Sequence, residues 1–490
     1  MATPLGATFL HWVSRRALRW LYREVHYIGR ERIPATGPVL LLGNHPNDLP
    51  DVLAGLFIAE RHVRYVATLS ATVLPLATAS YKAMGVIPVM RVRDVRMMRA
   101  RGVDVAAVNA SAFETVRDAF SAGDVVAIFP EGGVHDTPIL GVPRAGVAKM
   151  ALLGVDGALK NDLTIVPFGL QYEAPRTLRS DLTIEIGEPF SLAQWHAVAE
   201  QKTGRAVESA LTGHMHRSLL AVTRNSSSWA HAEVRDRLTA VIGALVARQD
   251  EPLQAAVGRV QGQCAALVEP PESTGGATGF SEPDTVSTRS TRSTRSTRDV
   301  DWRTVADPLG DAVVRAGGIR TSARDTARVL EAAWSPDERP TPLPNGAGAL
   351  KVHAQWPSIT KIVITAVPAL IGLLLHAPLW SAVLRVAKRM TVVRTDYVAK
   401  AILPGLHLIL LGYLVLGGLF ALGLRAAGWS MWWALALMVA LPRLGDLGLW
   451  WYDAVRAIRV RARVRGWSTA DRAAVVASAE RLHASWSALL

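Results

Sequence analysis

Between Gly29 and Phe190, short aliphatic or β-branched runs alternate with stretches whose apolar positions recur every three or four residues. The runs Val39–Leu42, Val63–Ala67, Val86–Val89, Val125–Phe129, Thr164–Phe168 and Leu182–Ile186 predict strands. The helical spacing falls over 51–60, 70–84, 104–122 and 145–154, with Gly123 as a helix stop. That alternation predicts an α/β domain over 29–190. Residues 191–267 read as a mostly helical extension, polar on one side.

Outside this domain the pattern changes. At the amino end, over 1–28, Phe9, Trp12, Val13, Trp20 and Leu21 share one side of a helix. Leu10, Leu18 and Tyr22 flank them, while Arg15, Arg19 and Arg23 recur on the other side. A basic, Trp-rich amphipathic helix has the profile of one lying in a bilayer interface; the same pattern also suits a helix packed on its own domain. Residues 268–300 hold a Ser-Thr-Arg triplet repeated four times and no apolar anchors, the composition of a flexible linker. Residues 301–350 begin with helical spacing and end rich in Pro and Gly.

From 351 to 490 the chain carries three uncharged runs: Ile362–Leu384, Ala401–Leu424 and Ala426–Pro442, of 23, 24 and 17 residues. A spanning helix needs about 20 apolar residues. The second run meets that length, and the third meets it if it extends through Trp450 and Trp451. Together they predict a tight helical hairpin. Pro368 and Pro378 mark the first run as a re-entrant or interfacial element. A buried soluble bundle is the alternative for all three.

Charge sharpens this picture. The chain of 490 residues has a formal net charge of +13, and residues 351–490 hold 16 Lys and Arg against 5 Asp and Glu, a net +11. Arg385, Lys388, Arg389, Arg394 and Lys400 precede the hairpin, and Arg456, Arg459, Arg461, Arg463 and Arg465 follow it. Basic flanks around apolar runs point to membrane lipids rather than nucleic acid, with both flanks cytoplasmic. The expected place is therefore the cell (inner) membrane, with the catalytic domain facing the cytoplasm. One cysteine, Cys264, excludes an internal disulfide framework and most cysteine-ligated metal sites.

The candidate chemistry lies where predicted strands end. Val39–Leu42 runs into Gly43-Asn44-His45-Pro46-Asn47-Asp48-Leu49-Pro50-Asp51. A carboxylate turned back onto one nitrogen of His45 leaves the other as a general base near neutral pH. A structural histidine, with Asp48 as a helix cap, explains these residues alone equally well. Three further blocks follow strands. Gly85-Val86-Ile87-Pro88-Val89-Met90-Arg91 brings a cation able to meet a phosphate, Phe129-Pro130-Glu131-Gly132-Gly133 brings a carboxylate and backbone amides, and Ile165-Val166-Pro167-Phe168-Gly169 ends a fourth strand. The carboxyl edge of an open α/β sheet is where ligands bind.

In this order and spacing the four blocks resemble the glycerolipid acyltransferase family, which includes lysophosphatidate and glycerol 3-phosphate acyltransferases. The resemblance covers about residues 29–190. It implies an acyltransferase-type mixed sheet flanked by helices, joined here to the amphipathic helix and the C-terminal α-helical membrane region. It further implies His45 and Asp51 as the catalytic pair, and an acceptor site drawn from Asn44, Gly85, Arg91, Pro130, Glu131 and Gly132, with Pro167 in the fourth block. The commonest family spacing would put the acid at Pro50, so Asp51 represents a longer-spaced branch and is favoured over Asp48. Gly133 replaces the usual Thr or Ser, and no Arg follows it. The segment Arg144-Ala145-Gly146 resembles a family position near the acyl channel. The implied co-substrate is an acyl thioester of coenzyme A or acyl carrier protein, the implied acceptor a phosphorylated glycerol or lysophospholipid, and no metal or resident cofactor is implied. Acylation of another membrane alcohol such as a glycolipid is the nearest alternative, and an inactive membrane scaffold the more distant one.

Overall fold

The structure is a computed structural model. It describes residues 4–68, 85–90, 94–100, 102–153, 162–174, 177–199, 205–248, 251–268, 302–334, 356–390, 397–430 and 432–488. The helix expected over 70–84, Arg91 and residues 269–300 of the expected linker lie outside the described residues. The chain divides into two compact units, Met1–Asn225 with Trp380–Leu410, and Ser226–Leu379 with Leu411–Leu490.

The first unit is built on an eight-stranded mixed sheet. Its strands are β1 (Tyr22–Ile28), β2 (Val39–Gly43), β3 (Val63–Thr68), β4 (Ile87–Val89), β5 (Val125–Ile128), β6 (Thr164–Tyr172), β7 (Ser180–Ile186) and β8 (Phe190–Ser191). They stand in the order β1-β7-β6-β2-β5-β3-β4, with β8 beside β6. All neighbours are parallel except β6 with β7 and β8. Every residue of β2 is buried, as expected of a central parallel strand covered on both faces. Leu41, Val166 and Leu182 enter one core with Leu53 and Tyr65. Leu40, Val126 and Ile165 enter the other with Val116, Leu211 and Met215.

Helices α1 (Pro4–Leu21), α2 (Leu49–Gly55), α3 (Val95–Ala100), α4 (Val105–Ser121), α5 (Ala145–Leu152), α6 (Leu192–Val198) and α7 (Arg205–Leu220) cover the sheet. Asp104 caps α4 by accepting from the amides of Ala106 and Ala107, and Gly123 follows its end at φ 77°. Two sequence expectations change here. Residues 22–28 are an edge strand paired with β7, not the end of the amino-terminal helix. α1 packs on its own domain, one of the two readings its pattern allows: Leu18 and Leu21 are buried in the core under the sheet, and Trp20 meets Trp380 edge-on at 6.2 Å. The domain also runs past 190, because α7 contributes Leu211, Met215 and Leu219 to its core.

The second unit contains α8 (Trp229–Val246), α9 (Leu253–Val268), α10 (Trp302–Arg315) and α11 (Ala323–Ala333), and ends in α15 (Thr469–Ser487). Leu238, Leu309, Val329, Val464, Leu482 and Trp486 share its core. The three apolar runs form long helices, α12 (Ile359–Met390), α13 (Tyr397–Ala426) and α14 (Trp432–Arg465). α12 continues through Pro368 and Pro378 for 32 residues, so it does not turn back on itself as a re-entrant element would. By length and composition α12 over Ile359–Val386 and α14 are each sufficient to cross a membrane.

Candidate active site

Parallel register brings the motif loops to one edge. β2 lies between β5 and β6, with Leu42 opposite Ile128 and Gly43 opposite Phe168. The loops after β2 and β5 therefore emerge side by side. Gly43 permits the close approach of the third strand: a Cβ there would lie 2.2 Å from Cζ of Phe168. β6 runs four residues beyond this register, and that overhang carries the support of the site.

Asn44 clips onto the overhang. Its Oδ1 accepts from the Leu170 amide at 2.7 Å and its Nδ2 donates to the Leu170 carbonyl at 3.2 Å. Both polar groups of Asn44 thus hold backbone. His45 follows with its ring stacked on Phe129, centroids 4.2 Å apart and planes within 5°. Its Nδ1 lies 2.8 Å from Oδ2 of Asp51, in the first turn of α2. Asp48, at φ 57°, makes no side-chain cap. The acid that reaches His45 is Asp51.

Asp51 is fully buried. Oδ2 also accepts from the Asn47 amide at 2.7 Å, and Oδ1 accepts from the hydroxyl of Tyr172. Burial pushes the Asp51 carboxyl up, while hydrogen bonds from His45, Tyr172 and Asn47 and the charge on His45 pull it down. Burial, reinforced by the neighbouring Asp51 charge, also raises the Tyr172 phenol, which keeps it a proton donor. With Asp51 as acceptor, the imidazole holds its proton on Nδ1 and offers Nε2 as the base.

Glu131 ties the second loop to the first. Its Oε1 accepts from the His45 amide at 2.8 Å, and its Oε2 accepts from the Gly141 amide at 2.7 Å and pairs with Nε2 of His135. The hydrogen bond His135 donates to Glu131, with the Glu131 charge, raises the His135 pKa against the opposing effect of burial. This expected acceptor ligand is a buried brace that fixes the backbone of His45. Gly132 turns the chain at φ 73°, and its amide donates to Phe129 at 3.1 Å. The Pro130 carbonyl accepts from the Arg144 amide at 2.8 Å. Arg144 is exposed beside this turn, with Nε 3.4 Å from the Glu131 carbonyl. Gly85, also at positive φ, precedes β4 and lies beside His62 and Arg64 at the amino end of β3, the edge opposite the motif loops, so the expected acceptor role does not fall to it.

The structure therefore unites Asn44, His45, Asp51, Pro130, Glu131 and Gly132, while Arg91 lies outside the described residues. Sequence reasoning missed Tyr172 and the ring of Phe129 as parts of the site, and did not foresee the His135–Glu131 pair. Tyr172 had no local signal, because it lies 121 residues from Asp51 along the chain. Among the described residues, no group of three or more His, Cys, Asp or Glu side chains is placed to hold a metal ion.

Residues 24–171 match the family model described as Acyltransferase. Residues 24–171 form an acyltransferase domain. The chain is 30% identical over 210 residues to glycerol-3-phosphate O-acyltransferase 2 of Saccharomyces cerevisiae, covering 41% of this chain and 26% of that protein. It is 34% identical over 109 residues to glycerol-3-phosphate O-acyltransferase 1 of the same yeast, covering 21% and 14%. The shared region is thus about a quarter or less of each relative's length. The acyltransferase domain includes β2, β5 and most of β6, hence every motif block named above. A looser likeness joins the chain to the crystal structure of the 1-acyl-sn-glycerophosphate (LPA) acyltransferase PlsC from Thermotoga maritima. Its TM-score is 0.32 at 14% identity, covering 44% of this chain and 78% of that one.

Proposed function

We propose that the acyltransferase domain moves a fatty acyl group from a thioester of coenzyme A or acyl carrier protein to a hydroxyl of a glycerol phosphate or lysophospholipid at a membrane. The observation that carries this reading is the His45–Asp51 pair, with Nδ1 held at 2.8 Å from the carboxylate so that Nε2 is the nitrogen left to act as base. Nε2 takes the proton of the acceptor hydroxyl as that oxygen attacks the thioester carbonyl. The C–O bond forms, the C–S bond breaks, and the thiolate leaves with the proton held by His45. Asp51 keeps the imidazole in one tautomer and stabilises the imidazolium, while Phe129 fixes the ring plane.

Glu131 acts by position, through the His45 backbone. Cations for the acceptor phosphate come from Arg91, as the family resemblance implies, and from Arg144, which is exposed beside the Gly132 turn. The similarity to the two yeast glycerol-3-phosphate O-acyltransferases favours glycerol 3-phosphate as acceptor over an alcohol without phosphate. The apolar helices of the second unit suit an enzyme whose product belongs in a bilayer.

The test is acyl transfer from labelled acyl-CoA to glycerol 3-phosphate, lysophosphatidate or a neutral lipid alcohol. His45→Ala is expected to lower transfer at least ~10²-fold with unchanged circular dichroism, the usual scale for losing a general base. Transfer by that variant at the wild-type rate would sink the assignment. Transfer to the neutral alcohol alone would move the reading to a phosphate-free acceptor.

A further inference from the structure

The long helices expose what a soluble protein hides. Ile364 and Leu374 on α12, Leu414 and Leu419 on α13, and Trp432 and Val439 on α14 are all more than 60% exposed. Exposed apolar surface on this scale marks contact with another apolar medium. Three features choose a lipid bilayer: α12 and α14 reach spanning length, most of their exposed large apolar side chains are aliphatic or Trp, and arginines crowd the end of α14 at 456, 459, 461, 463 and 465. At about 1.5 Å per residue, the 32 residues of α12 extend about 48 Å, against ~30 Å of hydrocarbon.

Chain on either side of these helices belongs to one folded core. Val460 and Val464 at the end of α14, with Val475, Leu482 and Trp486 of α15, pack with residues of α8, α10 and α11. Polar contacts repeat the union. Arg456 donates to the Gly317 carbonyl at 3.2 Å and to buried Asp325 at 3.3 Å, and Arg463 donates to the Ala316 carbonyl. Ahead of α12, the Trp356 indole donates to Glu331 at 2.9 Å and lies under the Arg461 guanidinium. A bilayer cannot pass through a packed core of this kind. The chain that leaves at Trp356 must therefore return by Arg456 to the face it left.

We infer that the segment from α12 to α14 enters a lipid bilayer and returns to the same face, making an even number of crossings, so that residues before Trp356 and after Arg456 occupy one aqueous compartment. Three crossings are forbidden although three helices are present. This inference is independent of the chemistry assigned to His45.

The sole cysteine, Cys264, is fully buried, so the full chain supplies its own unlabelled background. Val314→Cys and Ala473→Cys, both at exposed positions in α10 and α15, are combined in one variant. The variant is reconstituted into sealed phosphatidylethanolamine–phosphatidylglycerol vesicles, kept reduced, and treated outside with a membrane-impermeant maleimide. Intact mass then reads each molecule separately, so random insertion does not blur the result. Molecules carrying two adducts or none are expected, with two on all of them after detergent is added. A main population with one adduct, doubled by detergent, would place the two positions on opposite faces and overturn the inference. Protein that stays in the aqueous fraction when the vesicles float would overturn the bilayer as occupant.

Discussion

The edge of the sheet and the long helices of residues 359–465 break the rule of apolar inside and polar outside in opposite directions. At the sheet edge, Asp51, Asn47 and Glu131 are buried polar groups gathered around one histidine. On the helices, leucine, valine and tryptophan are turned outward. Burying a carboxylate costs stability unless hydrogen bonds offset it, so such a cluster is retained for chemistry. Exposing leucine costs stability in water, so such a face has a different solvent. On the proposed reading, the contrast separates a reaction centre from a surface that meets lipid.

Asp51→Asn is the sharpest way to break the comparison. It should lower acyl transfer by about 10²–10⁴-fold, since the imidazole loses its orienting anion. Asparagine keeps the size and one acceptor oxygen of Asp51, so the variant should still melt cooperatively. A variant that is inactive because it no longer melts cooperatively would make Asp51 structural. Next in size is Leu414→Asp on the exposed face of α13. If that face meets hydrocarbon, the charge costs about 2.5–3.5 kcal/mol of insertion and vesicle flotation falls sharply. If it meets water, the change stays within about 0.5 kcal/mol and flotation is untouched.

The smallest effect, about tenfold in kcat/KM, is expected for Tyr172→Phe, a loss on the scale of one charge-assisted hydrogen bond. Without the phenolic donor, the Asp51 carboxylate keeps only its His45 and Asn47 partners, and the loss should fall on kcat with KM unchanged. An equal loss accompanied by a lower melting temperature would reduce Tyr172 to packing. Its hydroxyl would then have no influence on the His45–Asp51 pair.

Much of this was legible along the chain. Period-two and period-3.6 patterns located β2, β3, β5 and α4 within a residue or two, because a central strand must be apolar and α4 carries its cap and its Gly123 stop locally. The His45 and Asp51 pairing was legible as well, since a strand end and the next helical turn lie within one loop. The strand at Tyr22–Ile28 is hidden in the sequence because its partner β7 lies more than 150 residues away. The pattern of the basic helix before it suits a bilayer surface and a packed helix alike, and only the fold shows that Leu18 and Leu21 find a core.

From residue order alone came the strand and helix periods, the motif blocks at strand ends and the apolar runs with their basic flanks. Each depends on neighbours within about a dozen positions. Tertiary structure alone decided that Glu131 braces His45 instead of facing open space, that Tyr172 lies under Asp51, and that chain before α12 shares a core with chain after α14. Those facts depend on register and on packing between distant segments, which a local pattern of polar and apolar residues does not encode.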